Sequence, residues 1–412
     1  MATEMKACFP EYMETFECVT GCSNSCCVGW TIHMDKKTYM GHKSNAPKNE
    51  FIKSMLAKIK RQRNSKTDAT YAVITRNNDD RCTFLDEDDR CQMYKNLGHD
   101  AMSSVCCTYP RAYHMTNNKL FVCAHLSCPE VARPALLNKE GLKLQSGKLL
   151  IHKKANFSVF NTRPTEPQHW ITRYFFDILN LSIALIQNPL FDLEKKLMML
   201  AMFVSKAEAV RSDANMTELL EKFKDDEYLG LYNESFDRVT PNSFMQLSAI
   251  LSAAAKSEYT ASGNDIRYTD YLSKAMGAIF KSDNDPQALS RYEVQGTVLY
   301  RQFKKNNGYI MENYIVNTML EERFPLNSGG IYDQDDIFHS FTHWVIEYIM
   351  LRTTIIGLLL AEFDLTEDIL VDLINVFSRG MVHNSERVGK YLDTLKEENL
   401  YSLAGLLLLI KI

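Results

Sequence analysis

Eleven cysteines lie between Cys8 and Cys128, and the 284 residues that follow contain none. Cys18-x3-Cys22-x3-Cys26-Cys27 opens the set, and Cys82-x8-Cys91, Cys106-Cys107 and Cys123-x4-Cys128 complete it. Spacings of three put consecutive thiols about one helical turn apart, or around a tight loop, so several sulfurs can converge on one centre. Small residues such as Gly21, Ser25 and Gly29 let backbone N–H groups approach cluster sulfurs, which tunes iron–sulfur potentials. A free cysteine can also be a small buried hydrophobe, and Cys8 and Cys107 suit that reading. The group as a whole does not, because a random scatter would not empty two thirds of the chain. Zinc held by four thiolates is the competing centre. Paired C-x2-C knuckles are missing, so the spacing favours iron–sulfur, with zinc left open. A radical-type C-x3-C-x2-C motif fails because Ser25 stands where its third cysteine would be.

Little else in the sequence carries chemistry. Neither G-x-G-x-x-G after a strand nor G-x4-G-K-[ST] occurs, so a standard nucleotide cradle is missing. The ten histidines are scattered, and His33, His42, His99 and His114 read as surface or core residues. Arg379 and His383 fall four apart on a predicted helix and so share a face.

The elements that must position these residues divide the chain into three. Residues 1–133 read as a cysteine-rich iron–sulfur domain, with a basic amphipathic helix over Lys53–Lys66 and short strands over Tyr71–Thr75 and Lys119–Ala124. Such a loop-rich segment needs metal binding to supply folding free energy. Residues 134–168 read as a basic, irregular connection with a hairpin around Ser146-Gly147. Residues 169–412 read as an all-α domain. Its predicted helices cover Trp170–Gln187, Leu190–Arg211, Met216–Lys224, Ser243–Lys256, Tyr268–Phe280, Ala288–Phe303, Tyr309–Phe324, Ile337–Phe363, Glu367–Val382 and Ser385–Leu409. The expected fold is therefore mainly α, a metal module packed on a helical domain.

Composition bounds the partners. An apolar share of 45%, a charged share of 24% and a net charge of −4 are those of an ordinary globular protein, and suggest neither a nucleic-acid nor a membrane partner. The charge is uneven, +7 over residues 1–168 and −11 over the rest. Met1–Pro10 lacks the apolar core of a secretory signal, and the apolar stretches Ile346–Phe363 and Leu403–Ile412 fall short of a membrane span. These features predict a cytoplasmic protein, where dense cysteine means metal or redox chemistry rather than disulfides.

Ordered blocks along the chain resemble the flagellin lysine-N-methylases. They are Phe16-x-Cys18-x3-Cys22-x3-Cys26-Cys27-x-Gly29-Trp30-x-Ile32 with Asp35 and Thr38-Tyr39; Cys82-x-Phe84-Leu85-Asp86, Cys91 and Leu97-Gly98; Cys106-x2-Tyr109-Pro110-Arg111; and Leu126 to Arg133. In the helical half, Glu312-Asn313-Tyr314-x2-Asn317 with Phe324-Pro325, and Phe377-Ser378-Arg379-x3-His383-Asn384, are similar to the family pattern. The cysteine block also resembles a wider group of cysteine-cluster proteins that chelate zinc or iron.

The resemblance implies methyl transfer from S-adenosylmethionine to lysine Nε of flagellin by a protein carrying a [4Fe-4S] cluster. Block by block, it favours Cys18, Cys22, Cys26, Cys27, Cys82, Cys91, Cys106 and Cys128 as metal ligands and leaves Cys8, Cys107 and Cys123 as extras. Tyr109, Glu130 and His383 become candidates for proton handling. Arg111, Arg133, Asn313, Asn317, Arg379 and Asn384 become candidates for holding the methyl donor or acceptor. The competing class is a non-catalytic metal-binding or redox-sensing protein whose helical half is a partner platform.

Overall fold

Alternation makes Ala2–Pro10 a strand: Glu4 and Lys6 point outward while Ala7 and Phe9 are buried. The computed structural model describes residues 2–18, 25–29, 31–64, 67–88, 90–116, 118–160, 170–210, 213–254, 265–282, 284–326, 337–381 and 385–412. Among these, residues 2–132, 143–160 and 265–266 form one compact unit, and residues 133–142, 170–254 and 267–412 form another.

The first unit holds strands β1 (Ala2–Pro10), β2 (His33–Met34), β3 (Ile59–Arg61), β4 (Ala72–Ile74), β5 (Arg111–Thr116), β6 (Lys119–Ala124), β7 (Leu144–His152) and β8 (Phe157–Phe160). Five of them make a sheet in the order β7-β1-β6-β5-β8. β1 runs antiparallel to β7, with Ala2 opposite His152 and Pro10 opposite Leu144, and parallel to β6. β2, β4 and β3 form a second, three-stranded antiparallel sheet. The short helices are α1 (Tyr12–Thr15), α2 (Lys36–Asn45), α3 (Glu50–Ala57), α4 (Gln92–Leu97), α5 (Ser104–Thr108) and α6 (Pro129–Leu136), the last running on into the second unit. Asp35, Asn49 and Ser103 cap α2, α3 and α5 by accepting the N–H groups of Thr38, Ile52 and Cys106.

Two expectations fail in this region. The helix expected over Lys53–Lys66 ends at Ala57, and the chain turns into β3, where Ile59 pairs with Ile74. The β-branched Ile59 is buried there, a gain the exposed basic helix would not have made. No hairpin forms at Ser146-Gly147, which lies inside the nine-residue β7. Gly147 sits opposite Ala7, and a Cβ there would come within 3.1 Å of the Phe9 ring, so the glycine serves close packing. The stretch read as an irregular connection thus supplies two strands. Its basic residues find partners, Lys148 on Glu4 at 2.8 Å and Lys154 on Thr38 at 3.0 Å.

The second unit is helical. After α7 (Trp170–Arg173) come α8 (Phe175–Ile186), α9 (Leu193–Val210), α10 (Asp213–Lys222), α11 (Asp226–Gly230), α12 (Asn233–Asp237), α13 (Ser243–Ala254), α14 (Asp265–Ile279) and α15 (Ala288–Ser290). A π-helical turn over Arg291–Gly296 leads into α16 (Thr297–Glu322), followed by α17 (Ile337–Leu360), α18 (Glu367–Met381), α19 (Ser385–Glu397) and α20 (Leu403–Ile410). The stretches expected as two helices, Ala288–Phe303 and Tyr309–Phe324, are joined, because the polar residues between them, such as Lys305 and Asn306, face solvent. The tail expected as one helix breaks into α19 and α20, the latter capped by Ser402 on the Gly405 N–H.

α17 is the core of this unit and packs against α9, α13, α16 and α19. By length and composition it is apolar enough to cross a membrane, yet 83% of that window is buried inside the protein. Two of the charges buried in this core, Arg352 and Glu194, have partners. Arg352 donates to the Ile410 and Leu409 carbonyls at 2.6 and 2.8 Å, satisfying the end of α20. Glu194 accepts from the Tyr348 hydroxyl at 3.2 Å and pairs with Lys304.

Candidate metal centre

Cys26 and Cys27 lie on a 3-10 turn, Ser25–Cys27, whose exit is fixed by Gly29. Gly29 has φ of 82°, a left-handed conformation that a side chain would resist, and its N–H donates to the Asp80 carbonyl at 3.0 Å. This clamp brings two distant segments together: Val28 bridges Arg81, and the Cys82 N–H donates to the Cys27 carbonyl at 2.7 Å. Two tight Asx loops follow. Asn77 accepts the N–H groups of Asp79 and Arg81, and Asp86 those of Asp88 and Arg90. Across the second loop Leu85 bridges Cys91, which starts α4. Cys106 enters from α5.

Five thiols therefore converge: Cys26, Cys27, Cys82, Cys91 and Cys106. The Cys26 and Cys27 sulfurs are 3.6 Å apart. Cys27, Cys82, Cys91 and Cys106 pack against one apolar core made by Ile32, Met34, Ile52, Ile74, Phe84 and Met93. The thiols sense one another electrically. Hydrogen bonding to Cys26, burial, and the nearby Cys82 and Cys106 all push the Cys27 thiol up. Burial first, then Cys91 and Cys26, push Cys82 up to about 11, against the opposing charge of Lys58. Burial raises Cys91, while the N–H groups of Tyr94 and Met93 at the start of α4 act the other way. Burial raises Cys106 furthest among these last three, with Cys26, Cys82 and Cys91 adding. A nest of mutually raised thiols is neutral without metal and becomes a set of thiolate ligands when a cation replaces the protons.

Of the other cysteines favoured by the sequence, Cys18 is exposed after α1, Cys128 is buried at the start of α6, and Cys22 lies outside the described residues. The three extras sit elsewhere. Cys107 points away from its neighbour and donates to the His99 carbonyl at 3.1 Å. Cys8 is on β1, and Cys123 is buried on β6, 3.9 Å from His114 Nε2.

The remaining candidates are dispersed. The Tyr109 hydroxyl is 3.0 Å from Ser127, and its ring stacks on His125. The Arg111 guanidinium lies 4.6 Å from the Phe16 ring centre and donates to the Phe16 carbonyl. Glu130 occupies the first turn of α6. In the helical unit, Arg133 pairs with Asp368 at the surface. Asn313 is buried and donates to the Leu136 and Asn138 carbonyls at 3.0 and 2.8 Å, closing the end of α6. Asn317, also buried, donates to Glu321 at 3.5 Å, and Arg379 is half-buried on α18. His383 and Asn384 lie outside the described residues.

Two features escaped the sequence reading. An open depression of about 750 Å³ is lined by Cys82 together with Lys58, Arg81, Arg90 and Lys95. In the helical unit, one ligand-type atom each from Glu322, His343 and Glu347 lie within 4.8 Å of one another. The only sequence signal for the latter was His343-x3-Glu347 on one helix face.

The helical unit also carries the comparison that fixes the family. Residues 180–409 match the model of the FliB lysine N-methylase C-terminal domain. This chain belongs to the FliB lysine N-methylase family. It is 26% identical over 250 residues to a lysine-N-methylase of Salmonella choleraesuis and 27% identical over 250 residues to one of Salmonella typhimurium, in each case over 59% of this chain and 59% of the relative. The flagellar biosynthetic protein FliU of Salmonella muenchen is 32% identical over 143 residues, 34% of this chain and 82% of that protein. The aligned stretch thus spans 59% of the length of the two curated lysine-N-methylases. No solved structure matches. The family domain takes in the blocks around Asn313 and Arg379, and its buried helix α17.

Proposed function

We propose that the chain is a protein-lysine N-methyltransferase that moves a methyl group from S-adenosylmethionine to lysine Nε of flagellin, with a [4Fe-4S] cluster on the cysteine nest. The observation that carries the reading is the convergence of Cys26, Cys27, Cys82, Cys91 and Cys106 within a chain of the FliB lysine N-methylase family. Five thiols exceed the four that one cluster takes, so at least one of them is left for scaffold or exchange. Zinc is the alternative occupant. The 3.6 Å separation of the Cys26 and Cys27 sulfurs is close to the roughly 3.8 Å edge of a tetrahedron with metal–sulfur bonds of ~2.3 Å.

The nitrogen lone pair of the acceptor forms the new N–C bond while the C–S bond of the sulfonium breaks, its electrons returning to sulfur. The acceptor must first lose a proton, since an unperturbed lysine at ~10.4 is almost wholly protonated at neutral pH. The protein's task is to desolvate that amine, accept its proton and hold donor and acceptor in line. Of the proton-handling candidates, Tyr109 and Glu130 lie in the cysteine-bearing unit. Asn313 and Arg133 are committed to structural contacts. The amino-carboxylate of the donor is better matched by the depression beside Cys82, whose volume falls in the range of small-molecule sites and whose lining carries both signs, Lys58, Arg81 and Lys95 for a carboxylate and Asp86, Glu87 and Asp88 for an ammonium, with Arg90 paired to Asp88. Were only three of the thiols to hold the cluster, it would offer a chelation point for that carboxylate.

Incubation of anaerobically purified protein with methyl-labelled S-adenosylmethionine and flagellin tests the reading. Label on flagellin lysines, lost in Cys106→Ser, is the expected outcome. Metal-replete protein that leaves flagellin unlabelled would overturn it in favour of a metal-binding or redox-sensing protein.

A further inference from the structure

We propose that Glu322, His343 and Glu347 bind one divalent cation of the manganese, iron(II) or zinc class, at a site separate from the cysteine nest. His343 and Glu347 are four apart on α17 and so project from one face. Glu322 comes from the last turn of α16. One ligand atom from each lies within 4.8 Å of the other two. Bonds of 2.0–2.2 Å to a shared cation would hold such atoms roughly 3–4 Å apart, a closure within the reach of side-chain rotation.

Two further observations point to a cation. Glu347 is 0% exposed, and neither of its carboxylate oxygens has a hydrogen-bond partner in the protein. The buried hydroxyl of Tyr314, on the same stretch of α16, also lacks one. Buried carboxylates are expected to be paired or to coordinate metal. Glu322 also sits at the C-terminal end of a 26-residue helix with no basic residue in its last turn, where the macrodipole is already negative. A cation there would relieve both charges and tie the end of α16 to α17. Two carboxylates and an imidazole form a donor set without sulfur, which suits manganese, iron(II) or zinc and gives no preference for the thiophilic metals that a cysteine site selects.

Manganese(II) titration of chelator-stripped, full-length protein tests this, followed by the loss of the free-ion paramagnetic resonance signal. The expected result is one manganese per chain in the wild type and in Cys106→Ser, with a raised melting temperature on loading. Loss of a ligand in Glu347→Gln or His343→Gln should weaken binding at least ~100-fold, beyond the 10–100-fold typical of changes that only reach a ligand's support. Circular dichroism of Glu347→Gln, which is isosteric and removes a buried charge, shows that loss of binding is not loss of fold. Absence of manganese uptake by the wild type, unchanged uptake by both variants, or uptake lost in Cys106→Ser but kept in Glu347→Gln would each overturn the proposal. Because Cys106→Ser is the control, the outcome does not depend on whether the chain methylates flagellin.

Discussion

Cys106 and Cys107 are neighbours in sequence with opposite surroundings. Cys106 joins four other thiols, whereas Cys107 hydrogen-bonds to the His99 carbonyl. Cys106→Ser should therefore cost the protein its cysteine-bound metal, while Cys107→Ser should retain a full complement, as metal analysis of the two variants would show. The pH dependence follows from the same raised thiols. Burial keeps them protonated in the metal-free fold at pH values where the unfolded chain, titrating near ~8.5, gives its protons up. The metal-free protein is thus fully stabilised by this effect below that pH, and loses it as the pH rises toward about 11, where Cys82 ionises in the fold. Denaturant midpoints in the presence of chelator should fall across that window; a midpoint flat with pH would show that the thiols are not buried together. At this scale the sequence was informative about kind and less so about number. The confinement of cysteine to one region pointed to the part of the chain where five thiols come together, and Cys107 donates instead to the His99 carbonyl. Which thiols converge depends on the Cys27–Cys82 backbone clamp, and no spacing within a single segment encodes a contact across some 55 residues.

Elements were most legible where one period dominates. The 3.6-residue pattern marked nearly every long helix of the second unit. It failed where a polar run lies on the exposed side of a continuous helix, as at Lys305 and Asn306 in α16, and in the short α11 and α12. Strand β7 was missed because Lys148 within it, and Lys153 and Lys154 just after it, resemble a solvated linker until Glu4, Asp100 and Thr38 are seen as their partners. The helix pair Glu322 and His343-x3-Glu347 was missed because its members meet only after α16 and α17 pack. Helix packing also yields a sharp prediction at Gly357. A Cβ there would lie 2.6 Å from the Ala275 Cβ and 2.7 Å from its carbonyl oxygen, both on α14. Exchanging glycine for alanine within a helix ordinarily stabilises by up to ~1 kcal/mol, but overpacking costs about 1–3 kcal/mol. Gly357→Ala should therefore lower the melting temperature, and a rise would show that α14 does not approach α17 this closely.

For the whole molecule, the two units rest on different forces. The helical unit has a continuous apolar core around α17, in which Arg352 and Glu194 are paired internally. The cysteine-bearing part of the first unit, by contrast, is a set of loops around a three-stranded sheet and one modest apolar cluster. Where apolar burial is limited, metal binding is folding free energy. Removal of the cysteine-bound metal should then raise hydrogen exchange through residues 31–64 and 67–88 while leaving α16 and α17 protected. Uniform loss of protection in both units would contradict a local role for the metal. The family match and the thiol nest fall in different parts of the chain: the family model covers residues 180–409, and the described thiols of the nest all precede residue 107.

Metal and sulfide analysis of anaerobically purified protein, paired with its visible absorption, decides whether the converging thiols hold an iron–sulfur cluster. The expected result is a brown protein with about four irons and four sulfides per chain, reduced to background in Cys106→Ser and unchanged in Cys107→Ser. A colourless protein with zinc and no sulfide would contradict it.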